Sequence, residues 1–441
     1  MRTVHIVGAG MAGLAAAVRL ADAGRRVVVY ESAGQAGGRC RSLHDAVLDR
    51  PIDNGNHLLL GGNTDVFGLL DRIGARDRLI GADPVAFPFM DLSTGESWTL
   101  RPNLGPVPWW MLVPSRRVPG TGWRDYLGLL KLLRTRPGAT VAECLDTRSV
   151  LYKRLWEPLA VAALNIDPAL GSARLMGAVV AETFMKGGAA CRPFIAARGL
   201  SDTFVDPSVR FVEEHGGTIR LKARLRELRV QNARVTALEF AGETVDVGHD
   251  DDVVLALPPV AASELLPGLP VPGDSTAILN AHYRLDRPAV LPGGQMFLGL
   301  VGGTAEWLFA RDDVISVTVS AADRLIDWSA DDLANLIWRD VARTCGLPGP
   351  MPPARIIKEK RATFRQTPAE SEKRPEARTA FGNLHLAGDW TATGLPATIE
   401  GAIRSGNKAA DLLLLSGSAE TPSRDEMRAS QRSSLDISQQ A

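Results

Sequence analysis

The N-terminal thirty residues constrain this chain more than any other feature. Thr3-Val4-His5-Ile6-Val7 reads as a short buried strand, and Gly8-Ala9-Gly10-Met11-Ala12-Gly13 follows it at once. Leu14 to Ala23 carries apolar residues at helical spacing, Gly24 stops that helix, and Val27-Val28-Val29-Tyr30 is a second strand closing in Glu31. Strand, G-x-G-x-x-G turn, helix, strand and acid in this order specify a dinucleotide-binding βαβ unit, where a glycine motif alone would not. Gly8 permits the tight turn, Gly10 lets a pyrophosphate approach the backbone at the helix N-terminus, and Gly13 lets the helix pack closely on the strand. Met11 and Ala12 belong to the same cofactor-binding turn. Glu31, with Ser32 beside it, stands where an acid accepts hydrogen bonds from a ribose hydroxyl pair.

Further motifs favour FAD over a nicotinamide cofactor. Gly34 to Arg41 is a second glycine-rich turn in which Gly38 and Arg39 can face the same pyrophosphate, a device that nicotinamide enzymes do not need. Asp53-Asn54-Gly55-Asn56-His57 suits a backbone passing near a flat ring, so Gly55, Asn56 and His57 are expected at the cofactor. His57 is equally open to a purely structural role. Leu225, in a strand-like stretch from Leu221 to Leu228, is expected at the cofactor too. Far downstream, Leu384-His385-Leu386-Ala387 reads as a strand followed by Gly388-Asp389-Trp390, and Pro396 opens a helix running to about Leu415. The helix N-terminus, with Thr398 and Ile399, would place free N–H groups and the positive dipole end against the ring.

Composition narrows the rest. Lys+Arg and Asp+Glu both number 50, so no basic excess points to nucleic acid as a partner. Cys40, Cys144, Cys191 and Cys345 form no CxxC and have no histidine at ligand spacing, which favours reduced cysteines over disulfides or a metal site. Glycines and charges break up the N-terminal apolar stretch, so it does not read as a signal peptide. No run reaches the roughly 20 apolar residues of a spanning helix. The expected fold is therefore α/β: a Rossmann-type cofactor domain from residues 1–83, 193–272 and 383–415, and a mixed α+β substrate domain from 84–192 and 273–382. In that second part Ser316 to Ser320 reads as a strand and Asp331 to Thr344 as a helix. Ser416 to Ala441 is polar enough to be expected as a disordered tail.

Pro106 to Arg136 stands apart. Trp109, Trp110, Met111, Leu112 and Val113 precede Arg116 and Arg117, and Trp123, Tyr126, Leu127, Leu130 and Leu133 fall on one helical face beside Arg124, Lys131 and Arg134. Tryptophan and basic residues along an apolar stripe describe an interfacial helix, and also a buried helix of the substrate domain.

With these residues in view, the chain resembles the FAD-dependent amine oxidase and carotenoid-desaturase superfamily. Within it, the resemblance is to the hydroxysqualene dehydroxylases, or squalene-associated FAD-dependent desaturases, of bacterial hopanoid synthesis. The resemblance runs from Val4 to about Ala410. It rests on Asp53 to Gly61, where the family more often has Gln at the position of Asn56. It rests also on Trp156-Glu157-Pro158-Leu159-Ala160, Ala163-Leu164-Asn165, Glu359 to Phe364, Leu386 to Thr391 and Gly394 to Ala402. The resemblance implies a two-domain enzyme with non-covalent FAD and a long isoprenoid substrate, hydroxysqualene. Flavin N5 would deliver hydride to the allylic carbinol carbon while the hydroxyl leaves as water. His57 is then the first candidate for the proton donor. Glu400 is a weaker one, better suited to bracing the flavin-facing helix. A cytoplasmic protein lying on the inner membrane would fit such a substrate, with an electron donor of unidentified chemistry. Thr398 and Ile399 stand where amine oxidases usually carry an aromatic residue, which disfavours amine oxidation. A carotenoid-type desaturase or isomerase remains the alternative enzyme, and a flavin-binding lipid-transfer scaffold the non-enzymatic one.

Overall fold

Val4, Ile6 and Val7 are buried on both faces of the strand Thr3–Val7, which makes it the centre of a parallel sheet. Residues 2–418 are described by a computed structural model of the chain. Arg26–Tyr30 pairs on one side of the central strand and Asp252–Leu255 on the other, with Thr218–Arg220 and Leu384–Leu386 outermost. Segments far apart in the chain thus meet in one sheet, and the glycine turn after Val7 emerges at its carboxyl end.

The first helix spans Met11–Asp22, three residues earlier than the apolar spacing from Leu14 suggests, because Gly10 O already accepts Leu14 N at 2.9 Å. It packs on the last helix, Ile399–Ser418. That contact is backbone against backbone: a Cβ on Gly406 would lie 2.1 Å from Ala12 O. The last helix starts at Ile399, not at Pro396. Pro396 to Thr398 form a lead-in, and Thr398 Oγ1 caps the helix by accepting Gly401 N at 3.1 Å. The helix also runs to Ser418, so the first three residues of the expected tail are helical and the remainder lies outside the described residues.

A second, seven-stranded sheet has the order Ala354–Phe364, Ser275–Arg284, Val314–Val319, Trp307–Arg311, Phe297–Val301, Phe87–Asp91 and Ser97–Leu100. Leu279, Ala281, Ile315 and Val317 on one face pack against Leu333, Ile337 and Val341 of the helix Ala330–Cys345. Ser329 Oγ caps that helix by accepting Asp332 N at 3.1 Å. On the other face, register places Asn280, Thr318, Trp307, Gly299, Phe89 and Trp98 in one row across the strands. A smaller sheet joins Leu59–Leu60 to Pro193–Ala196, and so anchors the chain just after His57.

Pro106 to Arg136 does not form a single amphipathic helix. It is a series of short 3₁₀ turns, Trp109–Leu112, Pro114–Arg116 and Trp123–Gly128, ending in the short helix Leu129–Leu133. The expected single face divides. Tyr126 points inward, its OH accepting Val118 N at 3.0 Å, while Trp123, Leu127 and Leu130 point out. Trp110 is buried against Tyr126, but Leu104, Val107, Trp109 and Leu112 are exposed.

Candidate active site

The three glycines of the first turn are held by different constraints. Gly8 has φ +107° and a Cβ there would lie 2.4 Å from Ala256 O, while a Cβ on Gly13 would lie 1.9 Å from Gly8 O. Both are needed by the protein's own packing. A Cβ on Gly10 would meet nothing within 4 Å. The open space lies at an N-terminus that no side chain caps, the site an anionic pyrophosphate takes in such folds. The second glycine turn closes over the first: Gly37 N donates to Ala9 O at 2.7 Å, and a Cβ on Gly38 would lie 3.2 Å from Gly10 Cα. Met11 and Ala12 are buried in the first turn of the helix.

Glu31 is oriented by its own neighbourhood. Oε2 accepts Ala9 N at 2.9 Å, and Oε1 accepts Ala33 N at 2.8 Å and the Ser32 hydroxyl at 3.2 Å. A carboxylate with about four lone-pair directions keeps one free for a ribose hydroxyl, and the exposed Ser32 hydroxyl can turn to assist. Lys222 N donates to Ala33 O at 2.9 Å and Ala223 N to Glu31 O at 2.8 Å, which lays the segment before Leu225 along the same edge.

Arg39 joins the two ends of the chain. Its guanidinium donates to Asp389 Oδ1 at 2.8 Å and to Ala362 O. Its side chain is 43% exposed, so the pair is open on the arginine side. Asp389 is buried, and the turn around it is fixed on three sides. Gly388 N donates to Ser405 Oγ at 2.8 Å, Trp390 Nε1 donates to Leu257 O at 2.8 Å, and a Cβ on Gly388 would lie 2.4 Å from Trp390 Nε1. Arg374, which no sequence motif marks, donates to Asp389 O at 3.0 Å, Thr391 O at 2.8 Å and Leu395 O at 2.7 Å. Burial pulls its pKa down to about 10, so it remains charged at neutral pH.

The segment Asn54 to His57 is held to the second sheet. Asn54 Nδ2 approaches Glu359 Oε2 at 3.3 Å. Asn280 Nδ2 donates to Asn54 O at 3.2 Å, and Asn56 Nδ2 donates to Thr318 Oγ1 at 3.1 Å. Gly55 passes so close that a Cβ would lie 3.3 Å from Asn280 Nδ2. His57 lies deep but keeps part of its surface accessible, and burial lowers its pKa to about 4 against the pull of Asp53. It is a neutral imidazole at pH 7. Asn280, Thr318 and Glu359 could not be assigned these parts from sequence, because register across strands brings the first two together.

Glu400 braces a helix other than the one expected, tying the last helix to Thr64–Arg72. Its carboxylate accepts Asp65 N at 3.0 Å and Val66 N at 2.9 Å, capping the helix Thr64–Arg72, and accepts Arg404 Nη2 at 3.0 Å. Burial raises its pKa to about 7, but both oxygens point at that helix. Thr398 and Ile399 sit at the capped start of the last helix.

A cavity of about 500 Å³ lies elsewhere, lined by Asp83, Asn103, Leu104, Val107, Trp109, Arg116 and their neighbours. None of the glycine-turn residues borders it, so it belongs to the exposed apolar patch and not to the nucleotide turn. The patch is tied to the His57 segment through one loop: Gly188 N donates to Asn103 O at 3.0 Å and Gly62 N to Ala190 O at 2.8 Å.

The family model described as flavin containing amine oxidoreductase matches residues 11–414. The chain is 48% identical over 413 residues to hydroxysqualene dehydroxylase of Sinorhizobium fredii, covering 94% of this chain and 98% of that one. It is 48% identical over 419 residues to hydroxysqualene dehydroxylase of Rhodopseudomonas palustris, covering 95% and 100%. Among solved structures, cyclohexylamine oxidase from Brevibacterium oxydans superposes with a TM-score of 0.67 at 17% identity, covering 93% of this chain and 98% of that one. That likeness extends to the fold alone.

Proposed function

The chain belongs to the flavin containing amine oxidoreductase family and, within it, to the hydroxysqualene dehydroxylases, and we propose that it converts hydroxysqualene to squalene in hopanoid synthesis. It is an FAD-dependent oxidoreductase. The observation that carries the proposal is the 48% identity along 94% of the chain, a length that takes in the Asn54–His57 segment and the second sheet alike.

The residues present fit FAD. Gly10 leaves an open cradle at a helix N-terminus, Glu31 and Ser32 face the ribose position, and Arg39 with Asp389 closes the site from the second glycine turn. Gly8, Met11, Ala12, Gly13 and Gly38 shape the turns around the pyrophosphate, Leu225 borders the nucleotide end, and Gly55, His57, Gly388, Thr398 and Ile399 serve the ring end, with only the backbone of Asn56 beside them. Residues 1–83, 193–272 and 383–415 make up the cofactor domain in this reading, with the substrate domain formed by the remainder through residue 382. Reduced FAD supplies the hydride that takes the place of the hydroxyl. The protein's task is to position that hydroxyl, keep water out and put a proton on the departing oxygen. His57, neutral at pH 7, donates a hydrogen bond there through its ring N–H, and it passes a proton to the departing oxygen only after taking one up from solvent, an uptake that Asp53 favours and that burial and Arg39 oppose.

The exposed apolar patch is the membrane-facing surface in this reading, on the cytoplasmic side of the inner membrane. No helix among the described residues is long and apolar enough to cross a membrane. Trp109 and Trp123 each carry an arginine over the ring, Arg116 at 4.7 Å and Arg124 at 5.4 Å, and Leu112, Leu127 and Leu130 stand exposed beside them. Aromatic, apolar and cationic groups together suit an anionic lipid interface.

The deciding experiment is anaerobic incubation of photoreduced protein with hydroxysqualene, with the lipid product and the flavin spectrum followed together. Squalene formed in step with flavin reoxidation is the expected result. Oxidation of squalene or phytoene without any dehydroxylation would favour a desaturase, and binding without turnover a lipid-transfer scaffold.

A further inference from the structure

We infer that Asn56 reads the substrate's hydroxyl through its side-chain oxygen, and that Asn280 and Thr318 are positioning residues that fix the direction of that amide. This rests on the proposed activity toward hydroxysqualene and assigns the recognition of its one polar group.

Hydrogen-bond polarity carries the argument. Asn54 O can only accept, so the Asn280 atom 3.2 Å from it must be the amide nitrogen. The other end of that amide, Oδ1, can only accept, and the Thr318 hydroxyl 2.9 Å away therefore donates to it. Having spent its one proton, Thr318 Oγ1 has only lone pairs to offer, and the Asn56 group 3.1 Å away must be Nδ2. Asn56 Oδ1 is left as an unused acceptor. No hydrogen bond to it is made among the described residues, and Asn56 keeps part of its surface accessible. Asn280 Oδ1 also accepts Asn56 N, at 3.4 Å, so both backbone and side chain of Asn56 are held.

The surroundings explain why one acceptor matters. Along the row from Asn280 and Thr318, the next residues are Trp307, Gly299, Phe89 and Trp98. Gly299 allows Phe89 and Trp307 to meet edge to face at 5.6 Å, because a Cβ there would lie 2.6 Å from Phe89 Cδ1. The sheet face therefore changes from polar to aromatic within one strand of Thr318. Trp307, Phe89 and Trp98 are themselves buried in the core, so they form an apolar wall next to the polar group rather than an open channel, and a substrate whose one polar group is a hydroxyl suits a site with one free acceptor beside such a wall. The hydroxyl proton meets Asn56 Oδ1, and the same contact strengthens as the oxygen gains a second proton and partial positive charge on leaving.

The test uses the full FAD-loaded chain in detergent micelles, with hydroxysqualene and squalene as the two probes. Asn56→Leu should weaken hydroxysqualene binding about tenfold, the weight of one hydrogen bond, and leave squalene binding unchanged. Thr318→Val should lower the same ratio, and Thr318→Ser, which keeps the hydroxyl, should restore it. If Asn56→Leu weakens both lipids equally, or instead changes FAD retention and the flavin spectrum with the lipid ratio intact, the amide serves packing or the cofactor and the inference is overturned. Wild-type protein that turns over no hydroxysqualene would count against the proposed activity itself. Turnover in wild type with an unaltered lipid ratio in both Asn56→Leu and Thr318→Val would count against this inference alone.

Discussion

Arg39 Nη2 lies 2.8 Å from Asp389 Oδ1, although 350 residues separate them in the chain. This ion pair locks the second glycine turn onto the turn before the last helix, the two motifs proposed to flank the cofactor. Asp389 is buried while Arg39 is partly open, so loss of the arginine leaves a carboxylate without its partner in a poorly solvated place.

Arg39→Gln should therefore release FAD more readily than it unfolds the protein. Breaking a buried pair costs about 3–5 kcal/mol, and the partial exposure of Arg39 brings the expected cost to about 1–3 kcal/mol. Equilibrium FAD affinity should fall by roughly ten- to a hundredfold. An unchanged affinity would show that the pair is a fold clamp only.

Gly10 and Gly13 should part company under the same substitution. Gly10→Ala places its methyl in open space, so the apoprotein should keep its thermal midpoint and lose FAD binding. Gly13→Ala drives a methyl to within 1.9 Å of Gly8 O and should unfold or misassemble the turn itself. Scanning calorimetry of the FAD-free proteins, with FAD titration of each, separates the two effects. Glu31→Ala should combine the two effects, costing FAD binding about 1.5–3 kcal/mol for hydrogen bonds to a charged group and also lowering the apoprotein midpoint, because Ala9 N and Ala33 N lose their acceptor.

His57→Ala should slow the loss of hydroxysqualene by about a hundredfold or more while FAD retention stays near that of wild type. Single-turnover lipid analysis of the photoreduced protein checks the first half, and flavin absorbance after gel filtration the second. A normal rate would mean that another group or a water protonates the departing oxygen.

Vesicle flotation tests the exposed patch. Leu112→Ser with Trp109→Ala removes apolar contact, and reversal of Arg116, Arg117, Lys131 and Arg134 removes up to about 1 kcal/mol of attraction per charge near an anionic surface. Both sets should lower the floated fraction, and the second should matter less as salt rises. Binding that survives both would place the membrane contact on another surface.

The glycine turn was legible because its information is local: turn, helix and acid lie within about thirty residues, and Gly8 and Gly13 each answer a backbone need nearby while Gly10 leaves space open. The row from Asn280 to Trp98 was not. Asn280 meets Thr318 only through strand register, which no short window of sequence contains. The Pro106–Arg136 segment was half legible. Its apolar spacing is real, but prolines and glycines such as Pro114, Pro119, Gly120 and Gly122 break the helix into turns, and packing alone decides that Tyr126 faces in while Leu127 faces out. Glu400 was legible as a bracing residue, but not the helix it caps: its two oxygens accept from the N-terminus of Thr64–Arg72, which no local sequence window links to it.

Acid should destabilise the fold through its buried histidines. Burial is the leading cause that lowers the pKa of His57, His282 and His385 from 6.5 to about 4. An unfolded chain takes up protons at these sites as pH falls below 6.5, and the folded chain does not until about pH 4. The stability associated with the neutral rings is thus complete above the unfolded value and is lost as pH falls through this window. His282 is the clearest contributor: it is fully buried, its Nδ1 lies 2.8 Å from Ser316 Oγ, and its Nε2 has no hydrogen-bond partner to reward protonation. The thermal midpoint of FAD-loaded protein should drop steadily across this range. His282→Asn, which keeps a polar group toward Ser316 but cannot titrate, should make that drop shallower whatever it does to the midpoint at neutral pH. If the slope is the same in both proteins, His282 does not govern the acid limb, and carboxylates losing their arginine partners must account for it.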